Sequence, residues 1–239
     1  MEFRALEKSY LGYHFLFATR EELPVNDEDA INAFFVKNVI SHCINCAAYT
    51  AVDKAETEPE EAFKINAEAV KKLAEACQSH EALFIHISTD YVFNGEGSSP
   101  YSETDPTSPV SVYGSSKLKG EALAREYCEE TIIIRTSWVY SRYGKNFVKT
   151  MMRLMAEKES IGVVSDQFGA PTYAADLAEA ILQIIRRFEK PASGIYHYSN
   201  LGLISWFDFA RAIKEISKSN CIVNPIETAA YPTPAKRPH

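Results

Sequence analysis

Glycine is almost missing from the first ninety residues, where Gly12 stands alone. A GxGxxG turn therefore cannot occur in that stretch, which excludes the usual glycine-rich pyrophosphate cradle there. Positive charge is also scarce: 25 Lys and Arg against 32 Asp and Glu leave a formal net charge of −7. Neutralising nucleic-acid phosphates takes clustered Lys and Arg, so no nucleic-acid partner is expected. Hydrophobic residues make up 46% of the chain, yet no uninterrupted apolar run approaches the roughly 20 residues that span a bilayer, and no membrane partner is expected. Residues 1–20 lack the basic start and apolar core of a signal peptide. The five cysteines are an odd number, and most of them sit in apolar or helical stretches where a reduced thiol simply packs, which suits the cytoplasm. Cys43 and Cys46 form a CxxC with no second pair downstream, so packing rather than metal or redox chemistry is expected of them.

At 239 residues the chain can bury one sizeable core with an appended lobe. Short β-rich apolar runs alternate with longer segments of helical period, the pattern of βαβ units and a parallel sheet. Strands are expected at 14–18, 39–47, 83–88, 131–136, 161–165 and around 195–198. The clearest helix covers 59–79, with Pro59 at its start and Phe63, Asn66, Val70, Leu73 and Cys77 facing inward. A second covers 174–188, striped by Leu177, Ile181, Ile184 and Phe188. The fold class is α/β, a doubly wound parallel sheet. Its opening is unusual: residues 1–9 read as the tail of a helix followed at once by the 14–18 strand, so the usual first strand and its turn are expected to be absent. We expect a nucleotide-binding core from 1–141 plus 161–185, and a small, incomplete substrate lobe from 142–160 plus 186–239.

Tyr113 and Lys117 lie four residues apart, hence on one face of a helix and about 6 Å apart along its axis. Alone, the pair also fits a solvated helix face. Ser88-Thr89-Asp90-Tyr91, however, follows an apolar strand about two dozen residues earlier and puts hydroxyls at that strand's carboxyl end. A phenol has an ordinary pKa of about 10, and a nearby Lys117 cation would favour its anion. Thr89 would hydrogen-bond a substrate oxygen, so the set suits carbonyl reduction, in which hydride addition builds charge on that oxygen. The small residues of Asn45-Cys46-Ala47-Ala48-Tyr49-Thr50 would allow close approach of a flat cofactor. His42 and His86, in apolar strands, are expected to be packed core residues. Trp138 fits either the core or a sugar-stacking wall.

Five strings occur in one order: residues 45–56 (NCAAYTAVDKAE), 88–93 (STDYVF), 112–117 (VYGSSK), 135–140 (RTSWVY) and 166–172 (DQFGAPT). Together they resemble the dTDP-4-dehydrorhamnose reductase family of extended short-chain dehydrogenases/reductases, and the similarity spans nearly the whole chain. The resemblance implies a Rossmann-like fold and reduction, by NADPH or NADH, of the 4-keto group of a dTDP-linked keto-deoxysugar on the way to surface polysaccharide. It makes Tyr113 the proton donor, Lys117 its electrostatic partner and ribose ligand, and Thr89 the carbonyl-orienting hydroxyl. Ala47, Ala48 and Tyr49 would line the cofactor. Asp90, Trp138, Asn146 and Gln167 would lie towards the substrate. Thr19 and Pro24 stand where the family suggests acidic residues, and Arg20 would face a 2′-phosphate, which favours NADPH. The resemblance leaves a homodimer and a magnesium requirement open. It also leaves a non-catalytic relative, like the regulatory subunit of some methionine adenosyltransferases, or an inactive fragment as alternatives.

Overall fold

The computed structural model describes residues 1–97, 99–187 and 192–238. Along the chain run α1 (Glu2–Leu6), α2 (Glu28–Lys37), β1 (His42–Asn45), α3 (Val52–Ala55), α4 (Pro59–Phe63), α5 (Ala69–Ser79), β2 (Leu83–Thr89) and α6 (Val112–Tyr127). There follow β3 (Thr131–Thr136), β4 (Val139–Tyr140), α7 (Phe147–Glu157), β5 (Ser160–Val164), β6 (Phe168–Gly169) and β7 (Thr172–Tyr173). The last elements are α8 (Ala174–Arg187), β8 (Gly194–His197), β9 (Ile204–Ser205), α9 (Trp206–Ser217) and β10 (Ile222–Ile226).

Strands β1, β2, β3 and β8 form one parallel sheet in that order. Its two central strands are buried along nearly their whole length, as strands covered on both faces must be. Period-2 alternation sends Phe84 and Ile133 to a cluster with Ile31 and Phe35 of α2 and Val70 and Leu73 of α5. Leu83, Ile85, Ile132 and Ile134 point the other way, onto Leu177 and Ile181 of α8 and the α1 residues Phe3 and Leu6. Helices thus cover both faces, and the α/β doubly wound class expected from the sequence is the class observed. Between α4 and α5 the expected 59–79 helix contains one π turn, Lys64–Glu68. Such turns recur at functional positions, and this one holds the fully buried Asn66.

Three expectations are revised. Residues 14–18 form no strand: Phe15 and Phe17 stack on each other and Arg4 lies over Phe17. An apolar run becomes a strand only with a partner edge, and none is hydrogen-bonded to it. The 161–165 strand exists as β5, but it pairs with β10 instead of joining the central sheet. It packs with Met151 and Met155 of α7 and Ala210 and Ile213 of α9, so it goes with the lobe, whereas β8, assigned to the lobe, belongs to the central sheet. Composition marks a strand without saying which sheet it joins. Leu177, Ile181 and Ile184 line the inner face of α8 as expected, while Phe188 lies outside the described residues.

Candidate active site

β2 ends at Thr89, and its carboxyl end meets the start of α6. Ser111 caps that helix by accepting the Gly114 N–H. Gly114 is required here, because a Cβ on it would lie 2.2 Å from the Tyr91 carbonyl oxygen. The close approach brings the Tyr91 and Tyr113 rings edge to face at 5.4 Å. Thr89 Oγ1 accepts the Tyr91 N–H at 3.2 Å and donates to Asp90 Oδ1 at 3.0 Å. The same hydroxyl contacts the Tyr113 phenol. Burial pushes the phenol up to about 12, and Thr89 opposes that shift while the Asp90 charge adds to it. Burial also raises the Asp90 carboxyl to about 6, with the Thr89 hydrogen bond pulling it down. Tyr113 is therefore a protonated phenol at neutral pH, in contact with a hydroxyl whose single hydrogen an acceptor oxygen could claim.

Lys117 lies one turn further along α6 and is 2% exposed. Its Nζ donates to the Ile87 carbonyl at 2.6 Å and lies 3.2 Å from His86 Nε2, and the shift of Tyr113 is governed by burial, Thr89 and Asp90. A helical spacing fixes which face two side chains share but not where a four-carbon stem ends. Burial lowers the Lys117 pKa from 10.5 to about 8, opposed by Glu121 and Cys46. The folded state then binds fewer protons than the unfolded chain between those two values, so Lys117 contributes stability that is present above pH 10.5 and lost as pH falls through about 8. Urea titrations from pH 7.5 to 10.5 should show this rising contribution in the unaltered chain and its loss in Lys117→Met.

His86, expected as inert core, is fully buried but forms part of this cluster. His42 is half-buried and pairs with Ser41 Oγ at 2.8 Å. The segment after β1 is held by two amides. Asn45 Oδ1 accepts the Ala47 N–H. Asn66 accepts the Tyr49 N–H, donates to the Tyr49 carbonyl and donates to Ser116 Oγ on α6. Gly120 permits this contact, since a Cβ there would lie 2.0 Å from the Asn66 carbonyl oxygen. Cys46 and Ala47 are left exposed and Ala48 partly so, a strip of small side chains at the carboxyl end of β1.

Trp138, in a left-handed conformation at φ 47°, is not an open sugar-stacking wall. Trp206 stacks on it at 3.5 Å between ring centres and 12° between planes. A Cβ on Gly169 would come closest to the ring-fusion carbon Cε2, at 2.7 Å, so Gly169 lies over a face of the indole. The near-eclipsed Trp206 leaves no room on its own side, which places Gly169 on the opposite one. Both faces are covered, and only the indole edge is left for other contacts.

Residues 3–239 match the family model described as the RmlD substrate binding domain. The chain is 48% identical over 204 residues to dTDP-4-dehydrorhamnose reductase of Escherichia coli (strain K12), covering 82% of this chain and 68% of that protein. It is 43% identical over 238 residues to the protein of the same name from Aggregatibacter actinomycetemcomitans, covering 95% and 80%. A solved structure of dTDP-4-dehydrorhamnose reductase from Bacillus anthracis str. Ames in complex with NADP is similar at a TM-score of 0.94 and 38% identity, covering 99% of this chain and 84% of that one. The chain belongs to the dTDP-4-dehydrorhamnose reductase family.

As a member of the dTDP-4-dehydrorhamnose reductase family, the chain brings Thr89, Asp90 and Tyr113 together and buries Lys117 directly behind them. The remaining expected residues are placed less directly. Asn146 caps α7, accepting from Lys149 N and donating to the Ser141 and Tyr143 carbonyls, so its polar atoms are already engaged. Gln167 donates to Thr228 Oγ1 and ties the 166–173 loop to the lobe. Arg20 is exposed on the turn after Thr19. Two residues were missed. Asp53, within the 45–56 string, takes a bidentate pair of 2.8 Å bonds from Arg237 and also accepts the Ala235 N–H. This folds the 235–237 segment back towards Tyr91, whose phenol the Arg237 charge pulls down against the dominant effect of burial. No spacing rule connects positions 184 residues apart. Among the described residues no group of three or more His, Cys, Asp or Glu could hold a metal ion, and no helix is long and apolar enough to cross a membrane.

Proposed function

We propose that this protein reduces the 4-keto group of dTDP-4-dehydro-L-rhamnose to give dTDP-L-rhamnose, with NADPH as reductant. The observation that carries this reading is the contact between the Tyr113 phenol and the Thr89 hydroxyl at the carboxyl end of β2, where open α/β sheets build their sites, in a chain of this family. When bound, the nicotinamide supplies the hydride, which goes to carbon 4. Thr89 turns its hydrogen from Asp90 to the ketone oxygen, and Tyr113 delivers its proton there as charge builds. Ketone, hydride and proton together give a secondary alcohol, and Tyr113 is left as a phenolate to be reprotonated.

The residues present fit the nicotinamide end of the cofactor. Ala47 and Ala48 leave the carboxyl end of β1 clear of bulk, Tyr49 follows them, and Lys117 and Tyr113 would hold the ribose. Arg20 is the cation that would face a 2′-phosphate. A glycine-rich cradle for the pyrophosphate is not supplied by residues 1–90, which hold only Gly12. The central sheet with its covering helices forms the cofactor-binding unit, and 142–164 with 199–238 forms the substrate lobe, where Gln167 and the edge of Trp138 approach the sugar from the intervening loop. Asn146 acts indirectly, by shaping the 141–146 turn. A cytoplasmic homodimer belongs to the same reading.

The test is NADPH oxidation by the purified chain with the dTDP-keto-sugar. Consumption that depends on the sugar and yields a dTDP-6-deoxyhexose is expected. If the chain bound both NADPH and the dTDP-keto-sugar yet gave no turnover, the reading would be wrong.

A further inference from the structure

Two hydrogen bonds bracket Tyr113 through the main chain on either side of it. Ser111 Oγ accepts the Gly114 N–H at 3.1 Å, a local cap of the ordinary kind. Glu56 Oε1 accepts the Val112 N–H at 2.9 Å, from 56 positions away in the chain. Val112 is the first residue of α6, whose first turn holds no acidic side chain. A helix N-terminus presents unpaired N–H groups and partial positive charge, and both favour a carboxylate. Here the carboxylate is brought in from the end of α3, which leaves the first turn of α6 to carry Tyr113 and Gly114. Its base is held in place. Ala55 is fully buried, and the N–H of Glu56 turns back to the carbonyls of Asp53 and Lys54. Asp53, one turn earlier, takes both 2.8 Å bonds from Arg237 and the Ala235 N–H at 3.2 Å. Glu56 therefore reaches from an anchored end to the residue before Tyr113.

We propose that Glu56 is a positioning residue of the reductase site: by fixing the main chain just before Tyr113, it holds the phenol in contact with the Thr89 hydroxyl. This rests on the reductase reading. Glu56 acts through the Val112 N–H, so the requirement is an acceptor oxygen of the right reach. Glu56→Gln keeps that oxygen. Glu56→Leu has similar bulk and no acceptor, which leaves the N–H unpaired and the first turn of α6 held only by Ser111 and the Gly114 contact with Tyr91. Glu56→Asp keeps the charge but falls one methylene short.

Carbon-13 NMR of the full chain with tyrosine labelled at Cζ, Tyr113 being assigned by its loss in Tyr113→Phe, tests this without turnover. The Tyr113 signal should shift in Glu56→Leu and return to its place in Glu56→Gln. Should Glu56→Leu not fold, Glu56→Asp takes its place with the same expected shift. An unmoved Tyr113 signal in the folded variant would overturn the proposal. In kinetics, Glu56→Leu should lower kcat by about 10- to 100-fold, the scale of a misplacement of about 1 Å. KM for NADPH and the keto-sugar should stay within about twofold, and Glu56→Gln should recover most of kcat. With Tyr113→Phe already in place, Glu56→Leu should cost less than about threefold more, because the group it positions is gone. An equal fall in both backgrounds would show a packing role only and overturn the proposal. Failure of the unaltered chain to turn over would count against the reductase reading alone, and the Tyr113 signal would still decide this one.

Discussion

Tyr113→Phe is expected to lower kcat by roughly 10²- to 10⁴-fold, the usual worth of a positioned general acid, with little change in KM. Only the phenolic oxygen is removed. The ring keeps its edge-to-face packing against Tyr91, and the Ser111 cap and Gly114 contact that set the helix start are untouched. Steady-state kinetics with NADPH and the keto-sugar, alongside an unchanged unfolding midpoint, check both halves. An equal fall in kcat/KM would mark an interaction made in the transition state, whereas a rise in KM at constant kcat would place Tyr113 in ground-state binding.

Arg135→Met should cost roughly 3–5 kcal/mol of folding stability, the penalty for leaving one partner of a buried ion pair uncompensated. Arg135 and Glu121 side chains are 4% and 3% exposed. They are joined by Nη2 to Oε2 at 2.7 Å and by Nε to both carboxylate oxygens at 3.0 and 3.2 Å. Ser88 Oγ adds a hydrogen bond to Glu121 at 2.5 Å, and the guanidinium lies 5.1 Å over the Phe93 ring. Met replaces the stem but not the charge. Replacing both members, as Arg135→Met with Glu121→Leu, should recover most of the loss, because no charge then remains to be desolvated. Denaturant unfolding of the two single variants and the double variant closes the cycle. Ser88 precedes Thr89, so the single variants should also depress kcat through the position of the hydroxyl.

Much of this was legible from short-range pattern. The runs at 83–88 and 131–136 are strands because all but His86 and Arg135 are apolar or small and both faces are covered. The Tyr113 and Thr89 strings arrive at one sheet end because strands of a parallel sheet share a polarity. Partnership was not legible. The 14–18 and 161–165 runs look alike, yet one finds no edge and the other pairs with 222–226. Spacing puts Lys117 on the Tyr113 face of α6, and only the fold brings its amine to His86 and the Ile87 carbonyl. Trp138 was left between core and sugar wall, and Trp206, 68 residues away, decides it by covering one face. Asp53 sits in a recognisable string, but its partner Arg237 is found only in three dimensions.

The central claim is that hydride reaches carbon 4 of the keto-sugar while Tyr113 protonates the oxygen. Its most direct test is single-turnover reaction with NADPH deuterated at the transferable position, with the isolated sugar nucleotide read by NMR. One deuterium at carbon 4 of the product, formed by the unaltered chain and lost with Tyr113→Phe, is the predicted result. A product carrying no deuterium, or one formed equally well without the phenol, would contradict it.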